Sequence, residues 1–249
     1  MPTTIPTASS AQNLNDHLSN FRQQVRDGAK YVAKPINLNQ VDEAARALDL
    51  KNSNASLWRV DGSTGNIKRG DGSFFQIKGL EVISKGPPRD LHFFQPIVEE
   101  APPAGTVILV CDKQTGDVLV DIKVEPGSDP QREFTTFGPT LQVSSSRLKL
   151  AKTNNGDAAL PLLSALVGLG ALDVKAIEVQ QDPGRFCNKR NENRVVFLDR
   201  KVDLDVANQP SLLWTNLAHL DDEINVNECN EFLWQTLGLL AREKRKAQI

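Results

Sequence analysis

The first regular pattern along the chain is helical. Leu14, Leu18, Phe21 and Val25 recur at three- and four-residue spacing among polar neighbours, which predicts an amphipathic helix over residues 11–26, ending near Gly28. A second helix is predicted over 39–48, with Val41, Ala44, Ala45 and Leu48 on one face, after an extended piece at 31–38 around Pro35. From Trp58 the texture changes to short apolar runs broken by Ser63-Thr64-Gly65-Asn66 and Gly70-Asp71-Gly72, both turn sequences. Strands are predicted at 74–82, 106–111, 118–124, 141–145, 176–180 and 195–199, with Gln114-Thr115-Gly116-Asp117 joining two of them as a hairpin. Helical texture returns at 158–169, near 217–224 and at 228–246, where the terminal cations from Arg242 to Lys246 suit a helix C-terminus.

Strands and helices in this order predict an α+β fold: a twisted, mostly antiparallel sheet with helices before, beside and after it. The expected organisation is a loose tail over 1–15 followed by one domain over 16–249, without internal repeats. The composition of the 249 residues, 39% hydrophobic and 24% charged, is that of an ordinary globular chain able to bury a core. A net charge of -2 argues against a general nucleic-acid binder, which needs a basic surface to displace counterions. The longest apolar region, 160–172, is interrupted by Ser164, Gly168 and Gly170 and is too short to span a bilayer. Residues 1–10 are polar, without a basic start and apolar run, so no signal peptide is expected and the location expected is cytoplasmic.

Cys111, Cys187 and Cys229 are scattered, with no CxxC and no neighbouring His; His17, His92 and His219 are isolated. Neither set has metal-ligand spacing, so reduced thiols and no metal are expected. Glycine-rich phosphate loops of the GxxxxGK[ST] and GxGxxG types are missing, as is the carboxylate-rich helix of the Nudix pyrophosphohydrolases.

What remains is a set of polar residues where strands should be apolar. Lys123 and Glu125 lie two apart in DIKVEPG, hence on one strand face within reach of one ligand, although an exposed cross-strand ion pair has the same spacing. Gln142 follows Pro139-Thr140-Leu141. Gln180, Gln181 and Asp182 precede Gly184-Arg185-Phe186, and Lys189-Arg190-Asn191-Glu192-Asn193-Arg194 comes next. Amides mixed with cations suit a hydroxyl-rich anion, and also suit a solvated loop.

Five segments carry a family resemblance, in order and with compatible spacing from about Pro35 to Leu240. They are LWRVDGSTGNIKRGDGSFFQIKGLEV, FQPIVEE, DIKVEPGSD with FGPTLQVSSS, VQQDPGRFCNKRNENRVV, and WTNLAHL with INVNECNEFL. Together they resemble one repeat of the nucleotide-sugar (NDP-hexose) 2,3-dehydratases, whose most specific signature is the pair Q-x-K-x-EPGN and PT-x-QAT-x-SNY. Arg69 stands where that family has a His and Ser73 where it has an Arg. Ser145-Ser146-Arg147 replaces the SNY element, and Gln180-Gln181-Asp182 replaces QSE.

The resemblance implies a Nudix-like fold without the hydrolase motif, a nucleoside-diphospho-4-keto-6-deoxyhexose substrate, no cofactor, and metal-free loss of the C2 hydroxyl. A 4-ketone acidifies the C3 hydrogen, so a modest base suffices, and donors at the ketone oxygen stabilise the enolate. Carried onto matching positions, Glu125 or Asp182 becomes the acid/base, with Lys123 near the keto oxygen or the diphosphate. Gln142, Gln180, Asn191 and Asn193 would hold sugar hydroxyls, Arg185 and Arg190 the diphosphate, and Trp58 or Trp214 the nucleobase, unless those rings are core. Because the family carries two such units per chain, the resemblance also implies a homodimer, with the Leu-rich helices at 160–172 and 232–240 as candidate contact surfaces.

Overall fold

The run Gly105–Asp112 is apolar at nearly every position, so a strand here must be covered on both faces. All eight of its residues are buried in the computed structural model. The structure describes residues 5–28, 58–69, 75–85, 91–100, 104–125, 135–145, 148, 161–182, 184–187, 189–199, 211–221 and 228–247. The helix expected over 39–48, the extended piece at 31–38 and the turn at 70–72 lie outside them. Contacts divide the chain into two compact units. One comprises Met1–Ala33, Gly105–Val179 and Glu192–Ile249; the other comprises Lys34–Ala104 and Gln180–Asn191.

The first unit is built on β6 (Gly105–Asp112) and its hairpin partner β7 (Val118–Val124). The turn closes as its sequence requires: Gly116 takes φ 76°, and its amide and that of Gln114 bond the backbone and side chain of Asp112. Strand order among the described residues is β1 (Thr7–Ala8), β13 (Leu212–Thr215), β7, β6, β12 (Arg190–Leu198), β10 (Ile177–Gln180). β8 (Thr135–Pro139) pairs with β7 and β9 (Leu141–Val143) with β6. Residues 7–15, expected in a loose tail, hold β1, parallel to β13, and the first turn of α1 (Ala11–Gly28). Ser10 caps that helix, its Oγ accepting from the Asn13 amide at 3.1 Å.

Alternation along the strands feeds two cores. Leu109, Cys111, Val118, Val120 and Ile122 pack with Leu14 and Leu18 of α1 and with Leu233 and Leu240 of the C-terminal helix, Glu231–Ala247. Ile108, Val110, Leu119, Leu212 and Trp214 pack with Leu162, Leu163 and Leu166 of α2 (Pro161–Gly168). The intervening α3 (Leu217–Leu220) makes the C-terminal helix α4. Each buried Leu contributes on the order of 1.5–3 kcal/mol by leaving water. The leucines expected to offer a contact surface on the helices at 160–172 and 232–240 are therefore largely core; Val167, Leu169 and Trp234 remain exposed there.

The second unit is a sheet ordered β11 (Phe186–Cys187), β5 (Leu91–Glu100), β4 (Phe75–Ser84), β3 (Ile67–Arg69), β2 (Trp58–Val60). Its backbone is a ten-pair antiparallel hairpin, Phe75↔Glu100 to Ser84↔Leu91. Fold class is thus α+β, with sheets dominating and few helices.

Candidate active site

β6 and β7 pair only at Val110↔Leu119 and Cys111↔Val118, then diverge. The segment 135–143 fills the fork, β8 lying along β7 and β9 along β6. At its throat Pro139 has no amide to give, and Thr140 supplies the missing link. Its buried hydroxyl accepts from the Val110 amide at 2.8 Å and donates to the Leu119 carbonyl at 2.5 Å. The fork sets Lys123 on one prong opposite Gln142 on the other.

Four side chains meet there. The Lys123 ammonium donates to Gln142 Oε1 at 3.3 Å. Asn230 Nδ2 donates to Glu125 Oε1 at 2.9 Å and to Gln142 Oε1 at 3.5 Å. Asn230 Oδ1 accepts from the Leu233 amide at 2.9 Å, so this residue is also the N-cap of α4. It is held in place because the segment before α4 bonds Phe137 on both sides: Phe137 N to Glu228 O at 2.8 Å, and Asn230 N to Phe137 O at 2.9 Å. Arg22 of α1 fastens the same segment, reaching Glu228 and the Thr135 hydroxyl, each at 2.7 Å.

Gly138 makes room for the lysine. A Cβ there would lie 2.8 Å from Lys123 Cε, 2.9 Å from Cδ and 3.3 Å from Asn230 Nδ2, so only glycine lets the stem cross β8. With its side chain 17% exposed, Lys123 has its pKa pushed down by burial; the nearby carboxylates of Asp121, 3.9 Å away, and Glu125 oppose the shift. Burial raises the Asp121 pKa against the pull of Lys123 and a hydrogen bond from Ser211.

The other expected site residues fall as follows. Asp182, in the second unit, accepts from the Gly184 amide at 2.8 Å and from Arg185 Nε at 2.7 Å. The Arg185 bond first, then Gly184, lowers its pKa. It is a loop-capping carboxylate, and a weak base. Arg185 and Lys189 lie over the Phe186 ring, at 5.8 and 4.9 Å from its centroid. Gln180 and Arg190 are exposed. Asn191 is buried and bonds Gln181 at 3.5 Å; Asn193, in the first unit, is buried and donates to Gln235 at 3.2 Å. Trp58 packs on Phe75, centroids 5.0 Å apart. Trp214 is 3% exposed within the core, with no face left for a base.

Sequence reasoning missed Asn230, although an Asn directly before Glu231 and an apolar run is an N-cap pattern. It also missed a network in the second unit, where Lys78 Nζ meets Glu99 at 2.5 Å and Gln76 donates to Glu99 at 2.6 Å. Lys78, then Gln76, hold Glu99 below the usual carboxylate range. Its signal was two polar side chains of FQIKGLEV two apart on one strand face. Among the described residues no group of three His, Cys, Asp or Glu side chains is placed to hold a metal.

On the forked α+β sheet a half-buried cation thus faces a carboxylate and two amides. Comparison with known proteins gives the chain a family. The sequence model of the NDP-hexose 2,3-dehydratases matches residues 29–241, and the chain belongs to that family. It is similar to the dTDP-4-dehydro-6-deoxy-alpha-D-glucopyranose 2,3-dehydratase of Saccharopolyspora spinosa, at 31% identity over 170 residues, 66% of this chain and 32% of the relative. It is also similar to the enzyme of the same name from Amycolatopsis orientalis, at 28% identity over 185 residues, 68% of this chain and 36% of the relative. The chain spans about a third of the length of these curated relatives.

Proposed function

We propose that this domain removes water across C2–C3 of a nucleotide-linked 4-keto-6-deoxyhexose, with Lys123, Glu125, Gln142 and Asn230 at the reacting end. The observation that carries the reading is the meeting of Lys123, Glu125 and Gln142, from the two most specific family segments, around a glycine that fits the lysine. Glu125 takes the C3 proton, and the electron pair flows onto the C4 oxygen. Lys123 donates to that oxygen. Burial makes its charge costly, and a developing oxyanion relieves that cost, so the contact strengthens as the enolate forms. The enolate then expels the C2 hydroxyl, which leaves as water with the proton returned by Glu125. The product enol carries a C2–C3 double bond and tautomerises to a 3,4-diketone. Gln142 and Asn230 hold the carboxylate and ammonium in register and can exchange those bonds for sugar hydroxyls. Asp182, half-buried and committed to its own loop, is the weaker acid/base candidate.

The test is incubation of the purified chain with dTDP-4-keto-6-deoxyglucose, following the sugar by mass spectrometry. Loss of one water by the native protein, reduced about 10²–10⁴-fold in Glu125→Gln, is the expected result. Binding without turnover would make the chain a non-catalytic sugar-nucleotide binder. The same proposal includes a Nudix-like sheet, a cytoplasmic location and a homodimer. The sheet rests on the resemblance and the location on membership of a family of nucleotide-sugar enzymes. The dimer is supported by Ile83 and Phe94, 60% and 74% exposed in the second unit. Sedimentation at micromolar concentration showing only the 27.4 kDa species would refute it.

A further inference from the structure

A cavity of about 580 Å³ in the first unit shares no lining residue with the Lys123 cluster. Its volume is in the range that holds a small organic ligand, about 300–1,000 Å³. Ile177 of β10, Val195 and Phe197 of β12 and Leu239 of α4 line it with apolar surface, and Lys175, Arg242, Glu243 and Lys246 bring charge to it. Lys246 is bonded to Glu243 at 2.6 Å, while among the described residues Lys175 and Arg242 have no carboxylate partner. Three cations against one carboxylate leave two positive charges. One more group points to a ligand. Asn193 lines the cavity at 1% exposure with its amide nitrogen committed to Gln235, and its Oδ1 accepts no hydrogen bond. A buried acceptor of this kind calls for a donor.

We propose that this cavity is a second binding site, for a nucleoside diphosphate, independent of the dehydration site. The base lies against Phe197 and the aliphatic wall, with a ring N–H donating to Asn193 Oδ1. The diphosphate, whose charge matches the surplus, bonds Arg242 and Lys175. The proposal does not rest on the dehydratase reading, because neither the pocket's charge nor its open acceptor involves Lys123 or Glu125.

The test is isothermal titration of the full chain with dTDP, ADP and thymidine, in a Lys123→Met background that removes the ammonium of the other site. Either diphosphate binding there, and weakening at least tenfold in Lys175→Ala/Arg242→Ala while thymidine is unaffected, supports the site. Phe197→Ala should weaken nucleotide and nucleoside alike. Absence of binding to millimolar concentration overturns the proposal. So does a double variant that is folded by circular dichroism and binds within twofold of its parent. In the native background the double variant should keep its turnover of the keto-sugar, so failure of this site and failure of the dehydratase reading are read separately.

Discussion

Gly138→Ala is the sharpest probe of how the fork builds the site. The new methyl would sit 2.8–2.9 Å from two lysine carbons, where unstrained carbon contacts are about 3.5–4.0 Å, so the Lys123 stem must shift by about 0.7–1 Å. The neighbour that gives way is a flexible side chain, so the stability cost is expected at the low end of overpacking, about 1 kcal/mol. For a chain of this size that is a drop in Tm of about 2–4 °C. The Lys123–Gln142 bond, already 3.3 Å, is lost, and misplacement of about 1 Å at a reacting group costs on the order of 10² in rate. Thermal unfolding and turnover are therefore expected to separate: near-native stability with a hundredfold loss of kcat. A second readout is the lysine itself, since ¹³C-methylated Lys123 should titrate at higher pH in the variant as its stem moves toward solvent. Native turnover with an unchanged Lys123 titration would refute the reasoning.

Thr140→Val leaves the Val110 amide and Leu119 carbonyl without their bridge, and urea unfolding should show a loss of about 2–4 kcal/mol. Asn230→Ala removes the α4 cap, about 1 kcal/mol by thermal unfolding, together with the donor to Glu125. Asn230→Asp keeps the cap yet cannot donate, so it should retain stability better than turnover. Burial raises the thiol pKa of Cys111 to about 11 and of Cys229 to about 12, from 9.0. Because the folded values lie above the unfolded one, this contribution to stability is complete below pH 9 and fades as pH rises toward 12. Both thiols should resist iodoacetamide at pH 8 in the native state and react on unfolding; rapid native alkylation of either would contradict this.

The sheet's centre was legible in sequence because the unbroken apolar run of β6 and the mostly apolar β7 flank a turn that demands Gly116. β5 was not, because Pro96 reads as a strand breaker; it is tolerated where β5 has β4 on one side and β11 only at Val98 and Glu99. β8 was hidden by Gly138-Pro139, poor strand formers that stand where the Lys123 stem crosses β8 and where the fork closes. β12 begins five residues earlier than its apolar portion suggested, since Asn191, Asn193 and Arg194 are polar yet buried with partners. At the site, two-residue spacing placed Lys123 beside Glu125, and the resemblance added Gln142. Asn230 arrives from 105 residues beyond Glu125 and 88 beyond Gln142, and only the tertiary pairing of Phe137 with the segment before α4 brings it in.

β7 has one edge paired early and one paired late. β6 and the segment after β7 are adjacent in the chain, whereas β13, whose Thr215 faces Val118, follows almost a hundred residues later. At about 5–20 residues per second, a ribosome needs roughly 5–20 s to deliver that partner. For that interval the nascent chain presents Leu119, Val120 and Ile122 along an unpaired strand edge, the kind of surface that recruits other strands. Yield in a producing cell should therefore depend on chaperone capacity and on translation speed between residues 125 and 211 more than on the stability of the finished domain.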